Sequence, residues 1–247
     1  MAIADDLAAA VTTHDDERVQ HLLTTATAED VQVAVRKLTI PTLCQAAVAG
    51  HVPAVRLFLR NPRSEWEREI ALRTAAAHGH LTTVQLLLQV MGALANKNVA
   101  LHRAAMHGHV EVVQYFLSSF EDLDVNEALY WATFLGYPET VCLLMNDARA
   151  NPRRAAGIFR LALTTEEIDE RIREHHTVHS REYLFQRNKG ILKCLRLLVL
   201  EKGICDFDLP KETKRRQCLW ELVEQDREMK EEDKETIKKI LLPHGTC

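Results

Sequence analysis

The sequence predicts an all-α helical-repeat solenoid, on three observations. A nine-residue stretch recurs at a nearly fixed interval, each copy is followed by a second apolar run, and a glycine separates the two. The stretch is clearest in Leu72-Arg-Thr-Ala-Ala-Ala-His-Gly-His80 and Leu101-His-Arg-Ala-Ala-Met-His-Gly-His109. Leu43-Cys-Gln-Ala-Ala-Val-Ala-Gly-His51 precedes this pair and Leu129-Tyr-Trp-Ala-Thr-Phe-Leu-Gly-Tyr137 follows it. The leading leucines therefore stand 29, 29 and 28 residues apart.

Each unit reads as helix, glycine turn, helix. Paired alanines (Ala46/Ala47, Ala75/Ala76, Ala104/Ala105) favour a first helix and let its neighbours approach closely. Gly50, Gly79, Gly108 and Gly136 suit the positive-φ position at which such a helix stops. The runs Val55-Arg-Leu-Phe-Leu59, Val84-Gln-Leu-Leu-Leu88, Val113-Gln-Tyr-Phe-Leu117 and Val141-Cys-Leu-Leu-Met145 place apolar residues three and four apart, the stripe of a second helix. One unit cannot bury that stripe by itself; a stack can, and 247 residues suffice to build one.

These residues resemble the ankyrin repeat, whose core reads Leu-His-Leu-Ala-Ala-x-x-Gly-His before a Val/Leu-rich helix. Leu101, His102, Ala104, Ala105, Gly108, His109, Glu111, Val112, Val113 and Leu117 all match it. Four units over residues 41–146 carry the resemblance. A degenerate unit begins near Leu7, with Val19 to Leu23 as its second helix, so units start near 7, 43, 72, 101 and 129 within residues 1–150. Residues 151–247 form an irregular part. There Gly190 to Val199 fits a second helix, Ala155 to Leu163 is a candidate first helix, residues 164–189 are a helical insertion, and Gln217 to Leu242 is a polar capping helix pair. The repeats fall short of the family's usual 33 residues and lack its Thr-Pro opening, so reduced β-hairpin fingers or plain loops are expected. Recognition then moves from fingertips to the exposed side of the first helices.

Composition excludes several classes. With 47% apolar and 27% charged residues the chain has the make-up of a folded soluble protein. No run nears the roughly 18 apolar residues of a membrane span, and the start Met1-Ala-Ile-Ala-Asp-Asp lacks the features of a signal peptide, so a cytoplasmic location is expected. Six cysteines without a Cys-x-x-Cys pair read as reduced thiols, and Cys247 does not complete a prenylation box. The net charge is −4, and residues 1–150 hold 11 Lys/Arg against 17 Asp/Glu, which disfavours general phosphate-backbone binding and hence nucleic acid.

The resemblance implies a protein-binding scaffold that docks a partner on its first helices. Tyr130, Trp131, Phe134, Met106 and Arg103 are the expected anchors, because aromatic residues, Arg and Met dominate adaptable contacts. Arg73, His78, His102 and His107 form the expected polar rim. Trp131 aligns with a position usually buried in the family, so filling of core space is its alternative role. His51, His80 and His109 match the family's structural Gly-His turn. No phosphate-cradling loop, nucleophile elbow or carboxylate pair is present, so no enzyme, cofactor or small-molecule substrate is expected. Two other readings are open. His175 and His179, one helical turn apart within residues 164–189, could hold a metal or serve an enzyme, although the His-Glu-x-x-His pattern is absent. The run Glu221 to Glu235 reads first as a solvated helix, and also resembles the glutamate-rich tail of some bacterial type IV secretion substrates, which would make the chain an effector acting on a host protein.

Overall fold

Alanine pairs and isolated glycines leave the chain little choice but short helices joined by tight turns, and the computed structural model is built of them. It describes residues 2–13, 15–37, 40–59, 65–92, 95–151, 179–201, 214–226 and 229–241. Among these residues the regular structure is helical, with no strand. Contacts divide the chain into two units, residues 1–123 and 124–247, whereas the sequence changes character near residue 150.

The first unit holds α1 (Ala2–Thr12), α2 (Asp16–Thr25), α3 (Ala28–Lys37), α4 (Ile40–Ala49), α5 (Val52–Leu59), α6 (Glu65–Ala77), α7 (Leu81–Met91), α8 (Lys97–Met106) and α9 (Val110–Ser119). First helices α4, α6 and α8 pack side by side in one layer, and second helices α5, α7 and α9 in another, with each pair closed by its own turn. The alanine pairs are fully buried between first helices, where any larger side chain would force the backbones apart, and Leu72 and Leu101 are buried beside them. Burying one such leucine is worth roughly 2 kcal/mol. Val55, Phe58, Val84, Leu87, Val113 and Phe116 close the core from the second layer.

The turns lock neighbouring units together. Gly79 has φ +76°, and the His80 amide donates to the Ala75 carbonyl (3.0 Å), closing the last turn of α6. A side chain on this glycine would meet more than backbone strain, because a Cβ there would lie 2.5 Å from Nδ1 of His109 in the next unit. Gly50 and His80 repeat the arrangement at the same distance. The ring nitrogens then finish the contact. Nε2 of His80 lies 2.6 Å from the Val48 carbonyl and Nε2 of His109 lies 2.8 Å from the Ala77 carbonyl. A carbonyl can only accept, so each ring carries its proton on Nε2. His80 and His109 thus each satisfy a carbonyl at the end of the preceding first helix, and neither ring caps its own helix.

Two features lay outside the sequence reading. The unit starting near Leu7 is present as α1 and α2, but its link to the next unit is itself a helix, α3, packed on α1. The first helix of the 72 unit starts at Glu65, so α6 is 13 residues long, and the Glu69 carboxylate accepts the Asn96 amide (3.2 Å) ahead of α8. The connection from Phe120 to Asp124 contains no strand. That is the expected plain loop, and it accounts for the shortened repeat.

The second unit holds α10 (Val125–Leu135), α11 (Pro138–Met145), α12 (His179–Arg196), α13 (Lys214–Gln225) and α14 (Glu231–Leu241), with a π-helical turn, Leu197–Glu201, continuing α12. The α10/α11 hairpin repeats the first-unit pattern, with Asp124 capping α10 through the Glu127 amide (3.2 Å). Gly190 does not open a second helix as expected. It stands inside the 18-residue α12, where its Cα faces Gly136, and a Cβ on Gly190 would overlap the Gly136 carbonyl. The two glycines let backbones touch, so α12 lies on both α10 and α11 with Ile191, Cys194, Leu195 and Leu198 buried. Burial pushes the Cys194 thiol up, the state of a core thiol. Candidate helix Ala155 to Leu163 and most of the insertion, including His175, lie outside the described residues. The tail is a helix pair, α13 packed on α14, with Lys234, Ile237, Ile240 and Leu241 buried.

Substituting Gly79→Ala should destabilise the first unit by about 2–4 kcal/mol, combining a left-handed backbone with the His109 contact. Gly79→Ala in a His109→Ala background isolates the backbone part, since the ring that the Cβ would meet is gone, and should cost only about 1 kcal/mol there. Urea unfolding in both backgrounds measures the difference; equal losses would show that the histidine contact adds nothing.

Candidate functional site

Once the Leu and Ala-Ala positions of a first helix face the core, four positions per unit remain on the opposite side, at one, two, five and six residues after the leading leucine. At about 3.6 residues per turn these share one face. In the first unit they are Cys44, Gln45, Val48 and Ala49 on α4; Arg73, Thr74, Ala77 and His78 on and just after α6; and His102, Arg103, Met106 and His107 on and just after α8. Val48, His78, Arg103 and His107 are exposed, and Arg73, His102 and Met106 are half-buried. The second-helix layer contributes none of these residues.

Six of the nine expected contact residues therefore belong to one layer of the first unit. Arg73 reaches the neighbourhood of Cys44 one helix back, where its charge opposes the effect of burial, which raises the Cys44 thiol. His78 and His107 end successive first helices. His78 donates from Nδ1 to the Thr74 carbonyl (2.9 Å) and stacks on His80 at 6.4 Å between ring centroids; His107 stacks on His109 at 6.2 Å. The four rings form two stacked pairs in adjacent units. Although the residue is exposed as a whole, partial desolvation of the ring, followed by the neighbouring His109, His78 and Arg103, holds the His107 imidazole below its ordinary value, so the ring is neutral near pH 7.

The other three expected anchors lie in the second unit and make one aromatic cluster. Tyr130 stacks on Phe134 at 6.0 Å, and Trp131 meets Tyr130 and Phe134 edge-on at 5.0 and 6.2 Å. The indole Nε1 donates to the Glu127 carboxylate (2.9 Å), one turn back on the same helix. Tyr130 and Trp131 are half-buried. Phe134 requires a correction. It is not an open anchor but 6% exposed, because the Arg187 guanidinium of α12 sits 5.0 Å over its ring and donates to its carbonyl (3.0 Å). No sequence pattern pointed at Arg187; the Gly136–Gly190 contact that brings α12 here needed the fold to be seen.

Among the described residues no group of three His, Cys, Asp or Glu side chains could hold a metal ion. A cleft of about 770 Å³ in the second unit is lined by Lys189, Lys193 and Arg196 with Glu139 and Asp226, and has no His, Ser, Thr or Cys in its wall. The Asp226 carboxylate already accepts the Met229 amide (3.2 Å).

Comparison with known proteins agrees with this geometry. Residues 72–117 match a family model described as ankyrin repeats (many copies), the span of α7, α8 and α9 with the second half of α6. Over that stretch the chain is similar to ankyrin repeats. No curated protein matches it. Ankyrin repeats mediate protein–protein interaction, and no described helix is long and apolar enough to cross a membrane.

An imidazole held low in the folded state takes its proton more readily when unfolded, so the unfolded chain binds more protons in the window below the ordinary value of 6.5. Stability contributed at this site is therefore full above that value and falls as the pH drops through the window. In His107→Gln the loss of stability between about pH 7 and pH 5 should be shallower than in the parent. Urea midpoints at both pH values read this, and parallel losses would exclude His107 as a source.

Proposed function

We propose that the chain is a binding scaffold that docks a partner protein on the outer face of its first helices, with Met106 and Arg103 at the centre and Arg73, His78, His102 and His107 around them. The observation that carries this reading is the alignment of these side chains. They occupy equivalent positions on helices whose register is locked by the Gly-His contacts, so no backbone has to be ordered when a partner arrives and only side-chain rotamers are fixed. Arg and Met at the centre suit a contact that combines charge with adaptable apolar surface. Tyr130 and Trp131 offer a second patch in the second unit, already stiffened by mutual packing and by Glu127. Phe134 supports that patch from beneath.

A photo-reactive amino acid in place of Met106 should give a discrete crosslinked adduct with the partner in lysate of the producing cell. The same group in place of Val90, an exposed residue of the second-helix layer, should give none. Adducts from Val90 and not from Met106 would move docking to the opposite layer and refute the proposal.

A further inference from the structure

We propose that the partner segment seated on the first-helix face of residues 40–107 is acidic, a stretch carrying Asp or Glu with an apolar residue among them. This inference rests on the docking face proposed above and assigns its chemistry.

The charge pattern of the face carries it. The chain as a whole is acidic, with 35 Asp+Glu against 31 Lys+Arg. Yet the twelve outward positions of α4, α6 and α8 and their ends contain no carboxylate, while they contain Arg73, Arg103, His78, His102 and His107. Acidic residues on α6 are confined to its first half, Glu65, Glu67 and Glu69, and Glu69 is engaged by the Asn96 amide. The helix dipole accounts for part of the pattern, favouring Glu in the first turn of α6 and cations in the last turns of α6 and α8, but at roughly 0.3–1 kcal/mol per charge it does not reach Arg73 or the Cys44 and Gln45 positions, which lie before the last turn. The C-terminal halves of α6 and α8 thus present cationic or protonatable groups within residues 40–107, which hold seven Lys/Arg against three Asp/Glu in a chain of net charge −4.

Apolar ground lies among the cations. Val48 is 41% exposed, and Ala77 and Met106 hold the equivalent position on the next two first helices. One apolar side chain of the partner can rest on this Val48–Ala77–Met106 row while its carboxylates meet Arg73 and Arg103, each about one turn before the row on its own helix. A basic segment would be repelled by both arginines, and a neutral one would leave their desolvation uncompensated. Exposed charges act weakly one at a time, so the preference is a summed and salt-sensitive effect.

The test uses the full chain and a fluorescein-labelled peptide of alternating Glu and Ser around one Leu, compared by anisotropy with the same peptide carrying Gln at every Glu. The Glu peptide should bind at least about tenfold more tightly than the Gln peptide, and the gap should close when salt is raised to about 1 M. Arg103→Glu and, separately, Arg103→Ala should each weaken the Glu peptide, the reversal more than the deletion. Gln89→Glu on the second-helix layer should change nothing. Thermal melting of each variant confirms that it is folded. Equal affinity for the two peptides, no binding of either, or Glu-peptide binding untouched at Arg103 overturns the acidic assignment. If the Met106 crosslink still forms in any of those cases, the docking face stands and only the partner's chemistry is wrong.

Discussion

The structure of the first unit depends on a contact that a single repeat cannot make: the histidine of one Gly-His turn seated on the glycine of the turn before it. The glycine is needed twice over, for a left-handed backbone and for the space the ring occupies. The histidine is needed for its shape and for the Nε2 proton it gives to a carbonyl at the end of the preceding first helix. Two successive copies, His80 on Gly50 and His109 on Gly79, make the same bond to equivalent positions. Repetition of one geometry sets the offset between units. Buried alanine pairs then set how close the first helices come, and the Val/Leu stripes of the second helices fill what is left.

From this constraint the outward surface of the first helices follows with few further assumptions. Helices held at fixed offset and rotation present the same four positions to solvent in every unit, so side chains there are free to vary without cost to the core. They are Arg, Thr, Ala and His in the 72 unit, His, Arg, Met and His in the 101 unit, and Tyr, Trp, Phe and Leu in the 129 unit. The last set shows the limit of the rule. A position is open only while nothing else is packed on it, and in the second unit α12 brings Arg187 onto Phe134, converting an expected anchor into support for Tyr130 and Trp131.

How much of this was legible in the sequence depended on whether the signal was local. The leucine spacing, the alanine pairs and the turn glycines are local and periodic, and they located α4 to α11 and the core residues Leu72, Ala75, Ala76, Leu101, Ala104 and Ala105. The outward positions follow by subtraction, which is why Arg73, His78, His102, Arg103, Met106 and His107 fall on one layer of first helices. Helix α3 was missed because Ala28 to Lys37 repeats no motif and supplies few large apolar residues. The start of α6 was missed because its first two turns are charged and precede the repeating stretch. Gly190 misled because an isolated glycine before an apolar run looks like a repeat turn; in the fold it is a point of backbone contact between a long helix and Gly136. Arg187 carries no sequence signature at all, since its role is set by where α12 lies and not by its neighbours in the chain.

The coupling of units through the Gly-His contact is tested most directly by native-state hydrogen exchange on His80→Ala. That substitution removes the ring from Gly50 and the hydrogen bond to Val48 while leaving the α7 stripe intact. If the contact sets the register, exchange should quicken together in α4, α5, α6 and α7, with the loss reaching both sides of the turn. Faster exchange confined to the few amides around residues 78–81, with α4 and α5 as protected as in the parent, would contradict the account.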